Sequence, residues 1–189
     1  MSKQYHIVLG VTGSIAAYKA AELVRLMIKR GWQVSVIMTR AATHFVGELT
    51  FQTLSQNPVL VDEFKIREEW DPVHVSLADW ADLLVIAPCT ANIIAKLAHG
   101  LADDALTSTA LACTAPLIIA PAMNDNMWQH PATKENLRIL KARGAGIINP
   151  GKGDLACGRA GEGRLAELET IMAAVEKILR RGRSIAIMK

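Results

Sequence analysis

The run Leu83-Leu84-Val85-Ile86-Ala87 carries no polar side chain, and it restricts the fold of this chain more than any other feature. A strand with one face in water alternates apolar and polar residues. An unbroken apolar run fits a strand covered on both faces, as in a parallel sheet flanked by helices. Leu117-Ile118-Ile119-Ala120 repeats the signal, and His6–Gly10 and Gln33–Met38 read as two further strands. Between the first pair, Ala20, Leu23, Val24, Met27 and Ile28 recur at helical spacing and form one apolar stripe, with Gly31 as the stop. Helices are predicted over Ala91–Gly100, Ala105–Cys113 and Thr133–Arg143, the last stopped by Gly144 and followed by a short strand, Gly146–Asn149. A final helix is signalled by Leu168, Ile171, Met172, Val175 and Leu179, whereas Arg40–Trp70 reads as a short helix and loops with a strand near Val59-Leu60. Strands alternating with helices imply an α/β chain: a doubly wound, flavodoxin- or Rossmann-like parallel sheet in three αβα layers. With no repeat, low-complexity tract or linker, residues 1–189 read as a single domain.

Composition excludes several classes. At 51% hydrophobic and 21% charged residues, with a formal net charge of +3, the chain is not of the disordered type. Arg180, Arg181 and Arg183 are the nearest approach to a basic cluster and read as a solvated helix end, so no nucleic-acid partner is expected. The uncharged stretch Ala105–Asn124 contains Pro116 and Pro121, which fits a buried helix followed by a buried strand better than a membrane span. The N-terminus enters strand-like sequence without a secretory pattern. Cys89, Cys113 and Cys157 form no CxxC pair, so a reduced, cytoplasmic protein without disulfide, zinc or other metal site is expected.

In a doubly wound sheet, ligands bind beyond the carboxyl ends of the strands. Gly10-Val11-Thr12-Gly13-Ser14 follows the first strand, Thr39-Arg40 the second and Pro88-Cys89-Thr90-Ala91-Asn92 the third. Pro121–Trp128 follows the fourth, and a glycine-rich stretch from Gly151 to Gly163, with Cys157 inside it, follows the last. Each is ordinary turn chemistry taken singly; five in succession point to a ligand site. The first loop can hold a phosphate on backbone amides and the Ser14 hydroxyl, or be a plain capped turn. The GxGxxG spacing is absent, and the second strand ends in Met38-Thr39-Arg40 rather than in an acidic residue, which disfavours NAD and favours a mononucleotide such as FMN. His74, at or just before a helix leading into the Leu83 strand, is either a general base or a helix-start residue. Cys157 is either a small buried apolar residue or, beside Arg159 in a glycine-rich setting, a reactive thiol; Cys89 and Cys113 look structural.

Taken together and in order, Gly10–Lys19, the His74 segment, Pro88–Asn92, Pro121–Trp128 and Ala156-Cys157-Gly158 resemble the homo-oligomeric flavin-containing cysteine decarboxylases over nearly the whole chain. Within that family the likeness is to the phosphopantothenoylcysteine decarboxylases of coenzyme A biosynthesis. The most specific pieces are Pro-x-Met-Asn-x-x-Met-Trp at Pro121–Trp128 and the paired His74 and Cys157. One mild departure is Cys89 and Ile93 at the second and sixth positions of the loop that usually reads Pro-Ala-Ser/Thr-Ala-Asn-Thr.

The resemblance implies an FMN-binding decarboxylase domain. Gly13, Ser14, Ile15 and Thr39 would hold the FMN phosphate end, and Thr90, Ala91, Asn92, Ile93 and Ala122 would line the rest of the flavin. Asn124 would bind the substrate carboxylate, with Met123 and Ala156 beside the substrate. His74 would be the catalytic base and Cys157, in a flap over the substrate, the proton donor. It further implies phosphopantothenoylcysteine as small-molecule substrate, a homotrimer or trimer-based dodecamer, and a phosphopantothenate–cysteine ligase domain or protein as partner. Residues 1–189, which end in Arg183-Ser184-Ile185-Ala186-Ile187-Met188-Lys189, are not expected to have room for such a ligase domain within them. The competing readings are a peptidyl-cysteine decarboxylase, a flavin prenyltransferase sharing the first loop, and a non-catalytic regulatory protein of the same fold. Cys157 in its Ala-Cys-Gly setting favours a saturated thiol product over an enethiol.

Overall fold

The computed structural model describes residues 4–64, 73–154, 158 and 160–186. Five parallel strands make the central sheet: β1 (His6–Val11), β2 (Gln33–Met38), β3 (Leu83–Cys89), β4 (Leu117–Pro121) and β5 (Gly146–Ile147). Their order is β2-β1-β3-β4-β5, the flavodoxin-like arrangement expected from the alternating pattern. Ile7 stands beside both Val34 and Leu83, so β1 is the strand on either side of which the winding reverses.

Every residue of β3 is buried, as its unbroken apolar run requires. Successive residues point to opposite faces, and the sheet therefore feeds two cores. Ile7, Leu9, Val11, Val34, Val36, Met38, Leu83 and Val85 pack on one face. Val8, Ile37, Leu84, Ile86, Cys89 and Ile119 pack on the other. The first face is covered by α1 (Ala17–Lys29), α2 (Glu48–Ser55) and α8 (Leu168–Ala186). The second is covered by α3 (Val73–Trp80), α4 (Ala91–His99), α5 (Ala105–Ala112), α6 (Asp125–Gln129) and α7 (Pro131–Ala142). This is a three-layer αβα fold.

Local signals set most boundaries. Asp104 accepts a hydrogen bond from the Thr107 amide at 2.9 Å, and the Thr107 hydroxyl accepts from the Asp104 amide, a reciprocal capping box at the start of α5. His130 Nδ1 accepts from the Ala132 amide at 3.1 Å, and Pro131 occupies the first turn of α7, where its missing N–H costs nothing.

Four details differ from the sequence pattern. Ile28 is 37% exposed, because eight residues on from Ala20 lies roughly 80° round the helix, at the edge of the stripe; buried Ala17 extends the stripe at the N-terminal end of α1. Val59-Leu60 forms no strand but a single bridge, Ile37 to Leu60, since Pro58 has no N–H to extend the ladder. The strand predicted over Gly146–Asn149 narrows to Gly146–Ile147, although the Ile148 amide still donates to the Ile119 carbonyl at 2.9 Å. The glycine-rich stretch holds an antiparallel pair, β6 (Gly151–Asp154) with β7 (Ala160–Arg164). Among the described residues no helix is long and apolar enough to cross a membrane.

Candidate active site

At the carboxyl edge of the sheet, over the β1/β3 reversal, lies a cleft of about 1150 Å³. Such a reversal is where two loops diverge and leave a crevice. Its walls are the loop after β1 with the first turn of α1 (Gly13 to Lys19), the turn after β2 (Thr39 to Ala41), the strap Val61–Phe64, the start of α4, the exit of β4 and Gly163–Leu165 of the hairpin region.

The first wall is built for close approach. A Cβ on Gly13 would stand 2.5 Å from the Ala41 Cβ, so only glycine lets the β1 loop lie against the turn after β2. The Ser14 amide donates to the Thr12 carbonyl at 2.8 Å, and Ser14 Oγ accepts from the Ala16 amide at 3.2 Å. The helix itself begins two positions later than a Ser14 cap would give, with Ala16 in the capping position and no side-chain cap. Among the described residues, the amides of Gly13 and Ile15 find no partner within the chain. Thr39 is buried, its Oγ1 accepting from the Ala42 amide at 3.3 Å, which leaves the hydroxyl proton available to a ligand.

Thr12, which sequence reasoning passed over, joins the first wall to the end of β3 and the start of α4. Its buried Oγ1 donates to the Pro88 carbonyl at 2.7 Å and accepts from the Thr90 amide at 3.1 Å. Thr90 in turn caps α4, accepting from the Ile93 amide at 3.5 Å, and this sets Ala91, Asn92 and Ile93 along the cleft. The Ala122 amide donates to the Cys89 carbonyl at 3.1 Å, pinning the β4 exit to the end of β3.

Lys96, Asp103 and Asp104 also reach the cleft, and no short motif announces them. Lys96 Nζ lies 2.6 Å from an Asp103 oxygen and 2.8 Å from an Asp104 oxygen. Burial disfavours the Asp104 anion, but Lys96 and the Thr107 amide and hydroxyl outweigh it and hold the carboxyl below its ordinary range. Burial likewise works against the Lys96 cation, and its hydrogen bonds to Asp103 and Asp104 overcome it and raise the ammonium.

The β4 exit and the hairpin meet backbone to backbone. The Met123 amide donates to the Gly163 carbonyl at 2.9 Å, and a Cβ on Gly163 would overlap the Met123 carbonyl. Asn124 Oδ1 accepts from the Asn126 amide at 2.9 Å and starts α6. Trp128 is buried, with Lys134 Nζ 3.8 Å from its ring centre, and Gln129 Nε2 donates to Glu162 at 3.0 Å.

Gly13, Ser14, Ile15, Thr39, Thr90, Ala91, Asn92, Ile93, Ala122, Met123 and Asn124 thus share one cleft. His74 does not line it. It lies in the first turn of α3, half-buried, with Nδ1 3.5 Å from Glu63 Oε2, and Glu63 is a cleft residue. Cys157 and Ala156 lie outside the described residues. Burial pushes the Cys89 thiol far up, and Cys113, raised chiefly by burial, donates its S–H to the Ala78 carbonyl at 3.6 Å, so neither suits a nucleophile. Among the described residues no cluster of His, Cys, Asp and Glu could hold a metal ion.

The family model described as Flavoprotein matches residues 1–180. The coenzyme A biosynthesis bifunctional protein CoaBC of Bacillus subtilis is 49% identical over 177 residues, 94% of this chain and 44% of that protein. The chain therefore spans about half the length of such curated relatives. A probable phosphopantothenoylcysteine decarboxylase of Streptococcus mutans is 46% identical over 175 residues, covering 92% of this chain and 98% of the relative. Among solved structures, the FMN-dependent cysteine decarboxylase SpaF superposes with a TM-score of 0.81 at 33% identity, over 94% of this chain and 97% of that one.

Proposed function

Since the chain belongs to the Flavoprotein family, we propose that it binds FMN and decarboxylates 4′-phosphopantothenoylcysteine to 4′-phosphopantetheine. The observation that carries this reading is the donor set at the β1/β3 reversal. Two amides without a partner in the described chain, at Gly13 and Ile15, lie with Ser14 and buried Thr39 at the start of α1. Amides at a helix start and hydroxyls are the donors a phosphate monoester needs. The rest of the cleft, walled by Thr90, Ala91, Asn92, Ile93 and Ala122, offers the mixture of apolar surface and few polar groups that suits an isoalloxazine ring.

A cysteinyl carboxylate does not lose CO2 readily, because the carbanion left behind has nowhere to delocalise. FMN held by these residues would supply the two-electron acceptor for oxidation of the thiol-bearing carbon to a thioaldehyde and the hydride for the return step. The protein's part is proton handling and orientation. His74 takes the thiol proton. Asn124 orients the carboxylate; being neutral, it does so without over-stabilising the ground state as arginine would. Met123 and Ala156 flank the substrate. When CO2 departs, its electron pair flows into C=S, and Cys157 donates the proton that completes the saturated thiol.

His74 stands outside the cleft of its own chain, and exposed Ile15, Tyr18, Phe64 and Met127 rim that cleft. Both features support a homo-oligomer, a trimer or trimer-based dodecamer, in which neighbouring copies complete one another's sites. The bifunctional relatives support a phosphopantothenate–cysteine ligase domain or protein as partner, and a cytoplasmic setting accords with the free thiols.

The purified protein is expected to be yellow and to release a compound with the mass of FMN. It should liberate CO2 from phosphopantothenoylcysteine, and His74→Asn should stay yellow without that release. Cys157→Ser should still liberate CO2 but accumulate the enethiol. Colourless protein that takes up no added FMN would overturn the reading.

A further inference from the structure

Glu63 is a carboxylate without an assigned task. It sits in the strap Val61–Phe64 just after the Leu60 bridge, lines the cleft, and its side chain is only 12% exposed. An ionised carboxylate so placed is costly unless its oxygens find partners. One oxygen, Oε1, accepts from Ser108 Oγ of α5 at 3.4 Å. The other, Oε2, faces His74 Nδ1 at 3.5 Å. The second separation exceeds a formed hydrogen bond, and contacts of this kind tighten when substrate binds.

We infer that Glu63 is the positioning residue for His74, with Ser108 orienting Glu63 from behind. The inference rests on the proposed role of His74 as base. A neutral imidazole carries its proton on one nitrogen only, and the group facing the other nitrogen decides which. A carboxylate at Nδ1 accepts the Nδ1–H bond and leaves the Nε2 lone pair free. The thiol proton then passes to Nε2, the Nδ1 proton stays in place, and the positive imidazolium that results lies beside a negative partner. Removing Glu63 allows the ring to turn or to carry its proton on Nε2, the form that cannot act as a base there. The pair is made within one chain, so it accompanies His74 to whichever cleft the imidazole serves. Sequence spacing gives no hint of it, because 11 positions separate the two residues and the contact arises only when the strap packs beside α3.

The test uses the FMN-loaded enzyme and two variants. Glu63→Ala should lower kcat at least about tenfold, less than the 10²–10⁴ that a general base supplies, with KM within twofold and FMN content unchanged. Glu63→Gln, which keeps an acceptor oxygen, should recover much of the loss. In protein labelled with 15N-histidine, the His74 ring should report the Nδ1–H form in the wild type and a shift toward Nε2–H in Glu63→Ala. The ring signal is read without turnover, so it stands apart from whether the decarboxylase reading itself holds. An unchanged His74 tautomer in Glu63→Ala would overturn the inference. So would equal loss in both variants accompanied by loss of FMN, which would mark Glu63 as a structural residue of the cleft.

Discussion

Replacing Thr12 by valine tests the frame on which the cleft is built. Valine has nearly the shape of threonine, so the change removes a hydroxyl and little else. Thr12 is fully buried, and its Oγ1 makes two bonds, at 2.7 Å to the Pro88 carbonyl and at 3.1 Å from the Thr90 amide. Each group left without its partner costs about 1–3 kcal/mol, and the partly buried Thr90 amide belongs at the lower end. The sum is about 2–4 kcal/mol, or about 5–12 °C in Tm for a domain of this size. Thr12→Ser is the control: it keeps both bonds and loses one methyl, worth about 1 kcal/mol. Urea unfolding of the FMN-free protein measures the stability, and FMN titration by flavin fluorescence measures the site. Thr12→Val should unfold at lower urea and bind FMN more weakly, because Thr90 leads into a cleft wall. If valine leaves the midpoint unmoved, or if serine falls as far as valine, the two hydrogen bonds do not hold these loops together.

Asn124→Asp should leave the fold intact, since a carboxylate caps a helix as well as an amide does. It should raise KM for phosphopantothenoylcysteine by setting like charges together; unchanged Michaelis behaviour would remove Asn124 from the carboxylate contact. Gly163→Ala should loosen the hairpin from Met123, seen as faster amide exchange in Lys152 and Gly161, and exchange equal to wild type would show that the backbone contact is dispensable. Asp104→Asn keeps the α5 cap and removes one charge beside Lys96. The Asp104 carboxyl is held low in the folded state, so its contribution is complete above the ordinary aspartate value and disappears as pH falls below about 4. The stability gap between wild type and Asp104→Asn should therefore close on acidification, and a gap constant from neutral pH to pH 3 would contradict the ion-pair account.

The sheet was legible because burial on both faces writes itself into consecutive residues: Leu83–Ala87 and Leu117–Ala120 admit no half-exposed alternative. The grouping of Gly13, Thr39, Thr90 and Ala122 in one cleft was legible for a related reason, since a doubly wound sheet forces the loops after its strands to one edge, and those loops can be read in order. What stayed hidden depends on folding. Asp125–Gln129 is five residues long, too short to present a helical period. Gly151–Asp154 and Ala160–Arg164 pair mainly through backbone, and their glycine-rich sequence has no apolar alternation to reveal a strand. Glu63, Lys96 and Asp103 are ordinary surface charges in the sequence; only packing turns them toward the cleft. Thr12 had a faint signal, a hydroxyl between a strand and Gly13, but nothing in the spacing names its partners.

Hydrogen bonds to the backbone tie the cleft walls to one another. Thr12 fastens the end of β1 to the end of β3 at Pro88 and Thr90. The Ala122 amide fastens the end of β4 to β3 at Cys89, and the Met123 amide fastens the hairpin to β4 at Gly163. Each bond joins the exit of one strand to its spatial neighbour, so a chain of hydrogen bonds links the loop bearing Asn124 to the loop bearing Ser14. If the cleft holds FMN as proposed, such a frame would serve the alignment of a flavin edge with a substrate carbon, because small misplacements in near-attack geometry cost rate steeply. His74 is outside the frame. It meets the cleft through Glu63 of the strap, so the proposed division of labour is a hydrogen-bonded binding wall and a base oriented by one carboxylate.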